Sequence, residues 1–519
     1  MRCIRAVVFA ALFLFGILPA ARAQDVTLIS PDGKVEISGI LLGFDGEYYR
    51  LETIYGELTV DGSSVRCEGP GCPNLEDFIA EMVLSGEASV GSVLLPALIE
   101  SFAQRSGLKL SQETMTPAER IYIFSNQTSD KVVGVFTVRS TNTDAGFADL
   151  LADQADIVLA QREVRPQEIE AAAAAGLGDL TAPGRSRVLA LDAFVPVVAE
   201  DNPLNSITTT ELAGIFSGKI TNWQDLGGPD APINVHMMTE GSGLGQAGAD
   251  QLLKPINAEP TATARRYQTN KDLVQAVRSD PFGIGLASNS GTGGVKAVLL
   301  SGDCGFLVPA ARNSVKTEDY PLTAPVFLYS PARRMPKLAR DFLTFTRGLA
   351  AQLVIRRAGY TDQVAELVSI DAQGNRFANA IAQAGKEVAL EDLQRMIKAL
   401  LPMKRLTTTF RFEQGSTRLD AQSRSHVEQL ALALEAGQYD GRRLLFVGFS
   451  DGEGKAETNL KIAKRRAAAV RAAVQNAAET ANLDRLTLEV DAFGEALPMA
   501  CDDSAWGRQV NRRVEVWVQ

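Results

Sequence analysis

Two groups of residues carry types and spacings suited to chemistry. Near the C-terminus, Asp451 follows the apolar run Leu444–Val447 and Gly448-Phe449-Ser450, which sets a carboxylate at the mouth of a buried strand. In the helix pattern behind it, Ile462, Arg466, Val470 and Val474 recur at four-residue steps, so a guanidinium occupies a stripe that otherwise looks inward. Such a pair suits a zwitterion: Asp451 takes an ammonium, while Arg466 and the helix N-terminus take a carboxylate. An Arg466–Asp451 ion pair, or an arginine snorkelling from the start of the helix, accounts for the same pattern.

The second group is spread over the middle of the chain. Ser89, in Gly86-Glu87-Ala88-Ser89-Val90-Gly91, precedes the helix pattern Leu94–Arg105. Ser140, in Ser140-Thr141-Asn142-Thr143, precedes Ala145–Leu151, and Ser242 with Gly243, in Gly241-Ser242-Gly243-Leu244-Gly245, follows the run Ile233–Met237. Each is a hydroxyl beside backbone N–H groups at a helix start, the device that holds anions. Arg162, closing the run Asp156–Gln161, adds a formal positive charge. Taken singly each is equally a capped helix or a tight turn. Together in an α/β chain they point to an oxyanion cleft.

The elements that must position these residues divide the chain. At 519 residues it exceeds the roughly 250–300 at which single cores stop growing, so several domains are expected. Arg2 and Arg5, the apolar run Val7–Leu18 and Ala21-Arg22-Ala23 read as a signal peptide over 1–23, too short to span a bilayer. Short β-prone runs with Asp-Gly turns predict a small β module over 24–76, stapled by a Cys67–Cys72 disulfide across Glu-Gly-Pro-Gly. Residues 77–370 alternate strand and helix patterns and predict two α/β lobes around a cleft. Residues 371–405 read as a helical connector, with Leu390, Leu393, Ile397 and Leu400 on its apolar face, and 406–519 as alternating strands and helices in which Asn459 caps the helix bearing Arg466. The fold class is therefore multidomain α/β and α+β. The pairing of Cys304 and Cys501 is open at this level.

Composition limits function. Lys and Arg number 52 against 62 Asp and Glu, which argues against nucleic acid as a partner. With 2 histidines, a histidine-based hydrolase or multi-histidine metal centre lacks supply, and no metal or cofactor is expected. Ser242 has no evident base, so an enzyme is not expected.

The C-terminal runs Gly448-x-Ser450-Asp451-x-x-Gly454, Asn459, Arg466-Ala467, Val470 and Asn511-Arg512-Arg513-Val514-Glu515 resemble the OmpA-like peptidoglycan-binding domain over about 110 residues. The resemblance implies that Asp451 and Arg466 hold the diaminopimelate of the stem peptide. Asn459 and Arg513 lie in the same matched runs and are carried over with them, although Arg513 also suits an ion pair across the last strands. Phe449 and Ala463 depart from the histidine and serine common in that family.

The central runs, above all Leu191–Val198, Asn202-Pro203, Leu212–Phe216, Ser217-Gly218-Lys219-Ile220-Thr221-Asn222-Trp223 and Gly227-Gly228, resemble the phosphate-binding (PstS-like) branch of the periplasmic solute-binding proteins, which serve ABC transport. The resemblance implies anion ligation by Ser89, Ser140, Arg162, Ser242 and Gly243. Met238 stands where that family commonly has arginine, and Leu244 where it has threonine. Each lost charge-assisted bond is worth about 1.5–3 kcal/mol. The expectation is a non-catalytic periplasmic binding protein for phosphate or another small anion, tethered to peptidoglycan at the cell wall or outer membrane. The alternative is an envelope scaffold whose lobes bind a protein partner, favoured by Met238 and Leu244 as apolar surface.

Overall fold

The computed structural model describes residues 25–74, 78–302, 304–382, 388–413 and 416–519. The signal-peptide expectation for 1–23 lies outside them. Two compact units are present, residues 1–78 and 79–519. In the first, antiparallel strands pair in the order Gly56–Asp61, Tyr48–Thr53, Glu36–Phe44, Val26–Ile29, Arg66–Glu68. Its core is small, built on Val26, Leu28, Tyr49 and Leu51. The expected Cys67–Cys72 disulfide closes the last strand onto the following turn, with Cα atoms 5.8 Å apart, and offsets the shortage of buried surface.

The second unit begins with the two-lobed α/β fold. One continuous sheet runs in the order Arg265–Tyr267, Asn234–Met238, Gly283–Ser288, Ser186–Val198, Thr323–Tyr329, Ile157–Ala160, Ala80–Glu87, Val132–Thr141, Glu119–Asn126, Leu108–Thr116. Ser186–Val198 joins the lobes: its first half pairs with Thr323–Tyr329 and its second with Gly283–Ser288. Almost every residue of this strand is buried, as expected for an apolar run covered on both faces. The first lobe has parallel strands Ala80–Glu87, Val132–Thr141 and Ile157–Ala160, whose C-terminal ends deliver Glu87, Ser140 and Gln161 to the same edge. Helices Leu95–Arg105 and Thr143–Leu151 start from that edge.

The C-terminal sheet is ordered Leu367–Val368, Lys404–Arg411, Arg513–Val518, Arg443–Phe449, Thr487–Gly494. Strand alternation sends Leu444 and Phe446 to one face, under helices Ala421–Glu435 and Ala456–Ala477. Leu445, Val447, Phe449 and Trp517 go to the other face, where they meet Ala380, Leu393, Met396 and Leu400. Helices Gly374–Ala382 and Leu390–Leu400, within the segment expected as a helical connector, thus cover the back of this sheet. The buried stripe of helix Leu390–Leu400 is Leu393, Met396 and Leu400, while Leu390 is exposed, a rotation of the expected face that brings in Met396.

The lobes and the C-terminal domain are packed as one body. Trp506 donates its indole N–H to the Gln251 carbonyl (2.7 Å) and is buried in the core of the lobes. Arg405 pairs with Asp319 at 2.9 Å, and Cys304 is disulfide-bonded to Cys501 across the interface. Glu515 is fully buried among Arg376, Arg405 and Arg513, which hold its carboxyl far below the usual range against the cost of burial.

Candidate functional site

At the edge of the first lobe, donors converge on one point. Gly243 donates its backbone N–H to Glu87 Oε2 at 2.9 Å, and the Ser89 N–H and Thr143 hydroxyl bond to the same carboxyl. Glu87 is 4 % exposed. Burial pushes its pKa up to about 7, opposed by these three hydrogen bonds. Of the helix-start donors anticipated from the sequence, the Ser89 and Gly243 N–H groups meet at one point, and the side chain of Glu87 sits there with the Thr143 hydroxyl. A Cβ on Gly243 would meet Thr143 Oγ1 and the Glu87 carboxyl, so glycine lets the backbone approach both closely. Gly86 has φ +141°, and a Cβ there would collide with the Leu159 carbonyl.

The expected ligands fare differently. Ser89 Oγ is buried without a hydrogen-bond partner. Ser140, at the end of its strand, faces Gly91. Ser242 caps helix Gly243–Leu252: its Oγ accepts from Gly245 N and donates to the Thr239 carbonyl, both at 2.9 Å. Asn142 caps helix Thr143–Leu151, which frees Thr143 to reach Glu87. Arg162 has no donor left for a solute. Its Nε bonds Gln246 Oε1 (2.8 Å), and the terminal nitrogens bond Asp144, both Glu168 oxygens and the Glu163 carbonyl. All five N–H groups are spent. Met238 and Leu244 are 6 % and 3 % exposed and belong to the core. They present no apolar surface, so the argument from them for a docking scaffold falls. Sequence reasoning missed Glu87 and Thr143; an acidic residue inside a glycine-bounded turn before a helix was the signal for the first.

The C-terminal cluster is separate. Asp451 and Arg466 are 7 % and 8 % exposed. Asp451 pairs with Arg512 at 2.8 Å, not with Arg466. The Arg466 guanidinium lies 5.0 Å from the centre of the Phe412 ring and its Nε has no hydrogen-bond partner. Among the described residues no carboxylate lies within ion-pair distance of it. Burial and the nearby Arg512 depress its pKa, while Asp451 opposes them. Ser450 Oγ, next to Asp451, is likewise buried and unpartnered. Asn459 is not the helix cap, which is Lys455; its amide donates to the Asp451 and Glu453 carbonyls at 3.2 Å and fixes the loop bearing Asp451. Arg513 is fully buried, stacked on Phe449 and paired with Glu515, two residues along its own strand rather than across strands as the alternative had it. Its neighbour Arg512 is the arginine that faces Asp451.

The two-lobed α/β body, with its cradle at strand ends, is that of a solute-binding domain. Residues 80–347 match the family model described as PBP superfamily domain, and the chain belongs to that superfamily. Residues 411–512 match the OmpA family. Protein SphX of Synechococcus elongatus is 29% identical over 331 residues, covering 61% of this chain and 95% of the relative. Phosphate-binding protein PstS of Borreliella burgdorferi is 23% identical, covering 43% of this chain and 78% of the relative. Among solved structures, an ABC-type phosphate transport receptor from Vibrio cholerae superposes with a TM-score of 0.41 at 21% identity, covering 54% of this chain and 98% of that one. No helix among the described residues is long and apolar enough to cross a membrane.

Proposed function

We propose that this is a non-catalytic periplasmic solute-binding protein fixed to peptidoglycan, its C-terminal pocket gripping diaminopimelate and its central cleft taking a small oxyanion such as phosphate. The observation that carries the anchoring half is Arg466: a buried guanidinium without a carboxylate partner among the described residues, beside Asp451 and the Ser450 hydroxyl. Leaving such a cation unpaired costs free energy in the free protein, and a ligand carboxylate relieves it. Asp451 then meets the ligand's ammonium, in exchange for part of its contact with Arg512. The solute half is supported by the convergence of Gly243 N–H, Ser89 N–H and the Thr143 hydroxyl on one carboxyl group, a geometry that serves a tetrahedral oxyanion equally well. Anchoring raises the concentration of the binding lobes at the wall without any new contact to solute.

Sedimentation with purified diaminopimelate-type peptidoglycan tests the anchor. The full chain is expected in the pellet, and Arg466→Ala or Asp451→Ala is expected to lose at least tenfold in affinity. Undiminished pelleting of both variants would refute the clamp. Calorimetry of the full chain with inorganic phosphate, sulfate and acetate at pH 6 tests the cleft: saturable heat with at least one oxyanion is expected.

A further inference from the structure

The cradle is already engaged by the chain itself. Glu87 receives the donors of two helix starts and one hydroxyl, and Arg162, the guanidinium expected to hold the anion, is fully committed to Asp144, Glu168, Gln246 and the Glu163 carbonyl. A solute anion placed on the same donors would therefore meet an ionised carboxylate, with the Arg162 guanidinium unable to offset the repulsion. Two negative groups cannot share three neutral donors at contact distance in a dry site. We propose that Glu87 is the built-in occupant of the oxyanion cradle, and that a solute anion enters only as Glu87 takes up a proton from water and yields those donors. Binding is then a coupled reaction: protein, one anion and one proton combine, with the proton on the Glu87 carboxyl.

This rests on the oxyanion reading of the cleft and adds the residue that conditions it. The surroundings leave Glu87 as the group that titrates. From the helix starts it faces Ser89, Thr143 and Gly243, none of them ionisable. Asp144 on helix Thr143–Leu151 and Gln246 on helix Gly243–Leu252 are turned onto Arg162. Tyr360, whose hydroxyl reaches the Ser89 carbonyl (3.4 Å), is held neutral by burial, with Asp192 and Glu87 adding to the shift. Asp192 is itself buried, bonded by Ser288, Ser290 and the Ala193 N–H. The carboxyl of Glu87 is poised near neutrality, since burial raises it to about 7, so the coupling operates across the physiological range.

The test compares the full-length protein with Glu87→Gln and Glu87→Ala by titration calorimetry with inorganic phosphate from pH 5.5 to 8.5. Comparison at each pH cancels the ionisation of phosphate and of Asp192. The ratio of wild-type to variant Kd is expected to be flat below about pH 6 and to rise about tenfold per pH unit above about pH 7. Paired buffers of different ionisation enthalpy at pH 8 are expected to reveal close to one extra proton taken up per anion by the wild type. Parallel pH profiles for wild type and both variants would overturn the proposal while leaving the oxyanion reading intact. Absence of phosphate binding by all three proteins at every pH would overturn both. Melting curves at pH 5, where Glu87 in the wild type is protonated, serve as the check that the variants are folded.

Discussion

A buried carboxyl whose pKa is raised is a source of instability as well as a ligand gate, and Glu87 allows the sign to be worked out. Its folded pKa stands about 2.5 units above the ordinary 4.5, so between those values the native state holds a proton that the unfolded chain has lost. Stability therefore falls as pH rises from about 4.5 to about 7 and is level beyond, a loss on the order of 3 kcal/mol from this group. Urea unfolding of Glu87→Gln is expected to lack that slope, giving a variant less sensitive to pH than the wild type. Asp451 and Arg512 are expected to behave differently. Arg512→Ala removes the partner of a buried carboxylate, and the readout is peptidoglycan affinity. If Arg512 merely blocks the ammonium site, affinity rises.

Helices Gly374–Ala382 and Leu390–Leu400 belong to the C-terminal domain. Their periodicity and Pro402 mark a helical segment between two globular parts, which is how a connector reads. In the structure they shield Leu445, Val447, Phe449 and Trp517, a sheet face that would otherwise be open to water. Met396 is 1 % exposed and Leu400 is fully buried there. Replacing either by alanine is expected to cost about 2–5 kcal/mol, measured as a lower urea midpoint. A free connector would tolerate both substitutions with changes below about 0.5 kcal/mol. A C-terminal domain excised from residue 406 onward lacks this cover and is expected to bind a hydrophobic dye that the full chain does not.

Across the whole molecule, the binding lobes and the C-terminal domain share a core through Trp506, a buried Asp319–Arg405 pair and the Cys304–Cys501 disulfide. Asp319→Ala leaves the Arg405 guanidinium buried beside Glu515 alone, and is expected to cost about 3–5 kcal/mol. The disulfide closes a loop with a sequence separation of 197, worth on the order of 5 kcal/mol in the chain-entropy account. Replacing both cysteines by serine is expected to lower the melting temperature of 79–519 while leaving it one cooperative transition. Lobes cut off at residue 370 are expected to melt lower and more broadly than the full chain, because their partner face is exposed. The C-terminal domain is thus held at a set orientation to the lobes rather than on a swinging tether.

Sequence alone determined what local pattern and motif chemistry can determine. Period-two and helical runs marked the strands and helices, the helix-start glycines and hydroxyls suggested an anion site, and Asp451 with Arg466 suggested a charged one. The short Cys67–Cys72 turn likewise announced its disulfide. What tertiary structure decided were the partners of groups far apart in the chain: Glu87 on Gly243, Arg162 on Gln246, Asp451 on Arg512, Cys304 on Cys501, and the connector on the sheet. A hydroxyl or guanidinium has the same composition whether its donors are free or spent. Only packing in three dimensions sets which other group reaches them first, and in the central cleft that group is a carboxylate of the chain itself.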